Sequence, residues 1–325
     1  MNPPRAFDFL GNIAIINFHK EFKQSEHHGR ILKRHKTPNQ VGLKENLQKR
    51  FLLGARKKYA QELMKKNKSI TTVLEKSGKV SGRLRKPTLK HLAGKKTKEV
   101  LYKENNCVFR FNTDTTYFSP RLSNERKEIA SKIKKGEIVL VMFAGVSPFS
   151  IVIAKNSQAE KIYSNEINRE ANKYGQLNIE LNKVKDKVEL IPGDIKNVVK
   201  KIGLSNLQAN KKQLIKNSLV NKISSDGRVG GKVNITPNIP NKFDVIVMPR
   251  PQLKDSFLKQ AFALSKKATR IYYYDFCKID KTKNILEKIQ TEAKIAKKKI
   301  KILKTKKAGE IAPYKIRFRV DFQVL

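Results

Sequence analysis

Apolar positions recur with different spacings along the 325-residue chain, and the changes of spacing divide it. Phe9 to Phe18 (FLGNIAIINF) is a short apolar run interrupted by a Gly11-Asn12 turn signal, which predicts a buried strand after that turn. The polar stretch Lys20 to Asn39 is expected to be loop. From Leu43 onward Leu47, Phe51, Ala55, Tyr59 and Leu63 repeat every four residues, predicting an amphipathic helix that ends at Lys65-Lys66-Asn67. Short β-like runs follow at Thr71–Leu74, Val80–Leu84, Val100–Lys103 and Cys107–Asn112, punctuated by Gly78, Gly82 and Asn105-Asn106. Together these predict a small α+β domain over residues 1–115.

Beyond it the pattern becomes an alternation of strand and helix, predicting a second domain over residues 116–325. Glu125–Lys135 has a helical pattern and Glu137–Phe143 (EIVLVMF) is a continuous apolar run, the mark of a strand covered on both faces. The cycle continues with a helix at Ser147–Lys155, a strand at Lys161–Ser164, a helix at Arg169–Asn182 and a strand at Val188–Ile191. A strand at Phe243–Met248, a helix at Asp255–Leu264 and a strand at Arg270–Phe276 follow. Such alternation argues for a doubly wound parallel sheet. After a helix marked by Ile285, Ile289, Ala293, Ala296 and Ile300, Ile300–Leu303 and the strictly alternating Ile316, Phe318, Val320, Phe322 and Val324 predict an antiparallel hairpin. Its turn is expected at Lys306-Lys307-Ala308-Gly309. Parallel α/β with a terminal antiparallel strand is the arrangement of class I S-adenosylmethionine methyltransferases, an analogy of fold. The polar stretch at about 200–241, with Gly227, Gly230, Gly231, Pro237 and Pro240, reads as an insertion.

Composition adds a partner. Lys and Arg number 71 against 28 Asp and Glu, a formal net charge of +43. Such an excess points to nucleic acid, to an anionic membrane surface, or to lysine-rich codon usage. Residues 1–100 carry 25 basic and 7 acidic residues, which makes the first domain the more cationic. Membrane-surface proteins usually anchor a basic amphipathic helix with bulky aromatics, and the sequence has no Trp, so nucleic acid is favoured over membrane. With 39% hydrophobic residues the chain can build a core, and no run reaches a membrane span, so a soluble, cytoplasmic monomer is expected. Cys107 and Cys277 are far apart and read as core residues; His19, His27, His28, His35 and His91 read as surface groups, so no metal site is expected.

Candidate chemistry lies at the ends of three successive strands, where doubly wound folds bind ligands. Phe143-Ala144-Gly145-Val146 ends the first and leaves room for backbone to approach an adenosyl group. Asn165-Glu166-Ile167-Asn168 ends the second, with an acid that could accept hydrogen bonds from ribose hydroxyls. Pro192-Gly193-Asp194-Ile195 ends the third, with a carboxylate in reach of an adenine amino group. Each acid alone is more often a helix N-cap than a ligand contact. No G-x-S-x-G, phosphate-loop or H-E-x-x-H pattern competes.

These residues resemble a family. Tyr117-Phe118-Ser119-Pro120-Arg121-Leu122-Ser123-Asn124-Glu125-Arg126, Met142-Phe143-Ala144-Gly145-Val146, Pro148-Phe149-Ser150 and Tyr272-Tyr273-Tyr274-Asp275-Phe276 are similar to the archaeal and eukaryotic tRNA (guanine-37-N1)-methyltransferases. Gly11-Asn12-Ile13-Ala14-Ile15, Thr72-Val73-Leu74, Gly82-Arg83-Leu84-Arg85 and His91-Leu92-Ala93-Gly94 resemble the domain that precedes the family's catalytic one. The likeness spans nearly all of the chain outside the insertion, and an extra N-terminal domain of many relatives is not expected. Three positions depart: Val141 stands for the usual Asp, Ser147 for a Gly, and Pro249-Arg250-Pro251 for the Asn-Leu-Pro that faces the target guanine. A sister family, the wybutosine-pathway aminocarboxypropyltransferases, shares fold and donor but lacks the Pro-Arg-Leu that follows Phe-Ser here.

The resemblance implies S-adenosylmethionine as cofactor, held by Phe143, Ala144, Gly145, Val146, Phe149, Glu166, Ile167, Asp194 and Ile195, and tRNA as partner, met by Arg83, Arg85, Arg121, Pro249, Arg250 and Pro251. Guanine N1 is a poor nucleophile while protonated, so transfer to it needs a base and a donor at O6. Arg121 is the candidate for O6, with a phosphate clamp or an inter-domain salt bridge as its other reading and Arg250 as its substitute. Asp194 is preferred over Glu166 as base. A relative that holds tRNA without turnover is the competing class.

Overall fold

The computed structural model describes residues 7–18, 38–78, 88–203, 239–249 and 254–325. The chain divides into two compact units, residues 1–120 and 121–325.

In the first unit, β1 (Phe7–Leu10) and β2 (Ile13–Ile16) form an antiparallel hairpin about Gly11-Asn12. The apolar run expected to give one strand therefore gives two, with the turn inside it. Gly11 is required there: at φ +55° a β-carbon would lie 2.0 Å from the Leu101 carbonyl oxygen. The long helix α1 (Pro38–Lys66) leads to β3 (Thr72–Lys76), parallel to β2, and β4 (Leu89–Gly94) closes the sheet in the order β1-β2-β3-β4. Ala60 and Leu63 of α1 pack with Ala14, Ile16, Val73, Leu92 and Ala93, whereas Leu47 and Phe51 of the same stripe are exposed. A second hairpin, β5 (Glu99–Glu104) and β6 (Cys107–Asn112), turns on Asn105-Asn106, both in the left-handed region that such two-residue turns require. Phe111 of that hairpin stacks on Phe118 at 4.6 Å, which extends this unit past residue 115. The strand expected at Val80–Leu84 and most of the loop expected at Lys20–Asn39 lie outside the described residues.

The second unit opens with a short 3₁₀ turn (Pro120–Leu122) and α2 (Ser123–Ser131). There follow β7 (Ile138–Met142), α3 (Pro148–Asn156), β8 (Lys161–Glu166), α4 (Arg169–Leu181), β9 (Val188–Pro192) and a helix, α5, over 195–203. After the undescribed part of the insertion come β10 (Phe243–Met248), α6 (Leu258–Ala263), β11 (Ser265–Lys278), α7 (Lys283–Ile295), β12 (Ile300–Ala312) and β13 (Lys315–Val324). The seven strands order as β12-β13-β11-β10-β7-β8-β9, with β13 antiparallel to its neighbours. This is the class I methyltransferase arrangement. The terminal hairpin turns at Pro313-Tyr314, because β12 runs through Lys306-Lys307-Ala308-Gly309 and absorbs them in register shifts.

One cluster of charges fixes α2 on the sheet. Arg319 on β13 is fully buried, although strand alternation puts it opposite the apolar face. Its guanidinium donates to Glu125 (2.6 Å) and Glu128 (2.6 Å) of α2 and to Asp321 (2.7 Å). Tyr274 of β11 donates to Glu125 (2.9 Å), Lys306 of β12 pairs with Glu125 and Glu128, and Lys132 donates to Asp321 (2.7 Å). Three cations thus meet three carboxylates. Arg319 and Lys306 hold the Glu128 carboxyl well below its usual 4.5 against the opposing effect of burial. Burial and the neighbouring Glu125 charge push the Tyr274 phenol far up, keeping it a donor.

A depressed carboxylate contributes stability that is complete above its unfolded pKa and lost as pH falls through the folded one. Unfolding free energy should therefore decline as pH drops below 4.5, and Glu128→Gln should make that decline shallower by up to one proton. Denaturant titrations at successive pH values would show this; equal slopes would remove Glu128 from the linkage.

Candidate active site

Five parallel strands, β7 to β11, end at one edge, and three of the turns leaving that edge are tied together. In the first, Phe143, Gly145 and Ser147 alternate in the left-handed region at φ 57°, 59° and 67°, folding the chain tightly between β7 and α3. This turns the Ala144 N–H to the Asn165 carbonyl (2.9 Å) and the Gly145 N–H to Glu166 Oε2 (2.8 Å). The other oxygen of Glu166 accepts from the Asn168 N–H (2.7 Å). The third turn is joined by Gly193, whose N–H donates to the Glu166 carbonyl (2.8 Å). Buried Asn165 sends its amide to the carbonyls of Ile191 (2.8 Å) and Gly193 (3.0 Å). Asp194 Oδ1 accepts from the Lys196 N–H (3.0 Å), capping α5.

Behind these turns lies a polar layer that the sequence reading did not single out. Ser164 Oγ is 3.0 Å from Ser147 Oγ and 2.9 Å from Ser150 Oγ, all three buried. Asn178 donates to the Val146 carbonyl (3.1 Å), and Asn172 to the carbonyls of Glu166 (2.9 Å) and Asn168 (3.0 Å). Gly175 admits this approach, since a β-carbon there would lie 2.9 Å from Ser147 Oγ. The signal was present: Asn168/Asn172 and Asn178/Asn182 are two asparagine pairs at four-residue spacing, on the face of α4 turned to the sheet.

Of the residues expected to hold a donor, Phe143, Gly145, Glu166, Ile167 and Asp194 are partly open, while Ala144, Val146, Phe149 and Ile195 are buried. Phe143 meets Phe257 edge-on (5.0 Å), and Lys196 lies over Phe257 (5.2 Å) while pairing with Asp255 (2.5 Å). Glu166 is pulled two ways: burial raises its pKa, and the N–H groups of Asn168, Gly145 and Ile167 lower it, with the net direction upward. An acid held in this way beside a backbone cradle, with open space around Gly193, suits an adenosyl group with ribose hydroxyls. Val141, in the middle of the sheet between Ser164 and Val247, is fully buried. No group of His, Cys, Asp and Glu among the described residues could hold a metal.

Arg121 is exposed on the 3₁₀ turn. Its place follows from the charge cluster. Glu125, in the first turn of α2, meets Tyr274, whereas Lys132, past its last turn, meets Asp321 and lies over Tyr272 (5.5 Å). The helix therefore runs opposite to β11 and its start points to the edge where the strand-end turns lie. Pro249 directly follows β10 and is half-buried. Arg250, Pro251, Arg83 and Arg85 lie outside the described residues.

Comparison with known proteins agrees with this layout. Residues 100–211 match the TRM5/TYW2 methyltransferase domain. A protein of Nanoarchaeum equitans, tRNA (guanine(37)-N(1))/4-demethylwyosine(37)-methyltransferase Taw22, is 34% identical over 287 residues, covering 82% of this chain and 93% of the relative. The chain belongs to the TRM5/TYW2 family. The crystal structure of Trm5b from Pyrococcus abyssi, 28% identical, superposes with a TM-score of 0.68 over 99% of this chain and 75% of that one. The fold is also that of aTrm5, solved in complex with tRNALeu (TM-score 0.67, 23% identity, 99% and 72% covered). In this TRM5/TYW2 protein buried asparagines position the turns, and Asn165 bridges the second to the third through two hydrogen bonds.

Replacing Asn165 with Ala would strand the Ile191 and Gly193 carbonyls, at a cost of about 1–3 kcal/mol. The expected outcome is a lower unfolding midpoint together with faster amide exchange at Gly193. An unchanged midpoint would show that water replaces the side chain freely.

Proposed function

We propose that this protein transfers the methyl group of S-adenosylmethionine to N1 of guanosine 37 in tRNA. The observation that carries the reading is the joining of three strand-end turns through Glu166 on a class I methyltransferase sheet. The donor supplies an electrophilic methyl on a sulfonium. The chain must supply the rest: a grip on the donor, a base for the N1 proton, a hydrogen-bond donor for O6, and a cationic surface for RNA.

Glu166 is the grip. Its oxygens already accept the Gly145 and Asn168 N–H groups, and a carboxylate has lone pairs beyond those for a ribose hydroxyl. Occupied by the donor's ribose, it is not open to the N1 proton. Asp194, whose Oδ1 accepts one N–H at the head of α5, takes that role. Arg121, brought to the strand-end edge by the docking of α2, holds the charge that develops at O6 with its planar fork of donors. Proximity of donor and base in one cradle accounts for most of the acceleration. The strongly basic first unit is the natural partner for RNA phosphates.

Incubating unmodified tRNA with the protein and S-adenosylmethionine, then mapping nucleosides by mass spectrometry, tests the reading directly. A methyl on guanosine 37 supports it. An aminocarboxypropyl group, or no product, overturns it. The relative from N. equitans is also named for 4-demethylwyosine, so tRNA carrying that nucleoside belongs in the same experiment.

Variants at two positions follow. Ribose hydroxyls bind the ionised Glu166, whose pKa lies above 4.5, so donor affinity should fall as pH is lowered before an ordinary glutamate would titrate. Glu166→Gln should bind donor more weakly and without that pH dependence, as calorimetry would show. Arg121→Ala should lower kcat roughly 10²–10³-fold, the scale of one lost oxyanion donor, with little change in RNA affinity. Arg121→Lys should recover little of it. Loss of RNA binding with kcat intact at saturating tRNA would make Arg121 a phosphate clamp.

A further inference from the structure

The terminal hairpin carries features that the sheet itself does not need. Antiparallel register pairs Lys278 of β11 with Lys315 of β13, so the Pro313-Tyr314 turn sits at the end of β11, the edge from which the strand-end turns leave. Tyr314 is 80% exposed, and its backbone is left-handed at φ 58° with its carbonyl accepting from the Ile279 N–H (3.1 Å). That position of a two-residue turn after proline favours glycine, and an L-tyrosine there adds a backbone cost. Ile279 and Ile311 are exposed on the segments next to it.

The cations around the tip share a face. Residues paired directly across an antiparallel ladder point to the same side, and Tyr274, opposite Arg319, faces α2. Two residues further along that face come Phe276 and Arg317, with the guanidinium over the ring at 5.4 Å, and two further come Lys278 and Lys315. Arg121, at the start of α2, lies toward the same end of this face. Two lysines opposed in one pair repel each other, which costs the hairpin stability. Lysine is common throughout the chain, so the cations alone would single out nothing; an exposed aromatic held at a fixed backbone angle among them does.

We propose that this tip is a second RNA contact: Tyr314 stacks an unpaired base of the tRNA loop that carries the target guanosine, and Lys278, Lys315 and Arg317 take the adjoining phosphates. The proposal rests on tRNA being the substrate, and it places the contact on the catalytic unit itself. An aromatic face among cations is the usual platform for single-stranded nucleic acid, because every base offers a π-face. The structure makes 300–307 part of β12 and brings the hairpin tip to the ligand edge.

The test uses the full chain and a synthetic anticodon stem-loop RNA, with no donor present. Tyr314→Gly removes the ring and relieves the left-handed backbone, so it should unfold no earlier than the parent and yet bind the stem-loop roughly 5- to 100-fold more weakly. Tyr314→Ala should bind as weakly, and Tyr314→Phe should bind like the parent. The Lys278→Gln, Lys315→Gln double variant should reduce the slope of log affinity against log salt by roughly 1.4. Affinity unchanged within twofold in Tyr314→Gly overturns the proposal and leaves the tip to a protein contact. Failure of the tRNA methylation reading would appear separately, as a parent protein that transfers no methyl at guanosine 37.

Discussion

The burial of Arg319 is the constraint on which the catalytic half depends. A guanidinium with no exposed surface needs carboxylates, and α2 delivers two of them, Glu125 and Glu128, one turn apart on one face. Those acids in turn could not lie against the sheet without Arg319 and Lys306. An apolar helix-sheet contact could slide by a residue at modest cost, whereas this contact has one register in which every charge is met. The orientation of α2 follows, and with it the position of Arg121. Arg126, from the same helix, lies over the Phe149 ring at 5.7 Å and braces the start of α3, the helix that issues from the Phe143–Ser147 turn. One ion cluster therefore bears on both ends of the proposed site.

The turns themselves are held by a different device. Strand-end turns of a parallel sheet leave backbone carbonyls and N–H groups with no ladder to join, and buried ones must find partners. Here asparagine and serine side chains take the place that ordered water would otherwise fill. Asn165, Asn172 and Asn178 each meet a carbonyl in or beside one of the three turns, and the three serines connect α3 to β8. A site preorganised in this way can present the Glu166 carboxylate at a fixed angle, at the cost of tolerating few substitutions behind it.

Much of this was legible in the sequence. Continuous apolar runs bounded by Gly, Pro and Asn located the parallel strands, and the three strand-end turns were visible as a repeated position rather than as a motif. What stayed hidden shares one physical cause. Alternation on β13 shows which residues share a face but not whether the second face is covered, so nothing local marks Arg319 and Asp321 as buried. Likewise Lys306-Lys307-Ala308-Gly309 has turn composition, but a strand that shifts register can carry such residues straight through, and the turn fell on Pro313-Tyr314, where a tyrosine gave no warning. The Gly11-Asn12 turn and the strand after it were legible, but the three apolar residues before the turn gave too short a run to mark β1. Contacts set by long-range pairing are invisible to a local pattern.

The surface is basic because the chain carries 43 more cations than acids, and pairing removes the two in equal numbers. Acidic residues are few, and the structure uses many of them inside or at element junctions: Glu125, Glu128 and Asp321 in the cluster, Glu137 with Arg270, Asp244 with Lys266, and Asp275 with Tyr273 and Lys288. Asp244 ties two strands, Asp275 a strand and a helix, and Glu137 the approach to β7 to β11. The cations that remain outward have little acid among them, so their mutual repulsion works against the compact state and grows as salt is lowered. A polyanion laid along that surface removes the repulsion and is itself held by counterion release. Net charge thus acts on stability and on binding through one term: the acids fix the fold, and the uncompensated cations make the folded protein more stable when RNA is bound than when it is free.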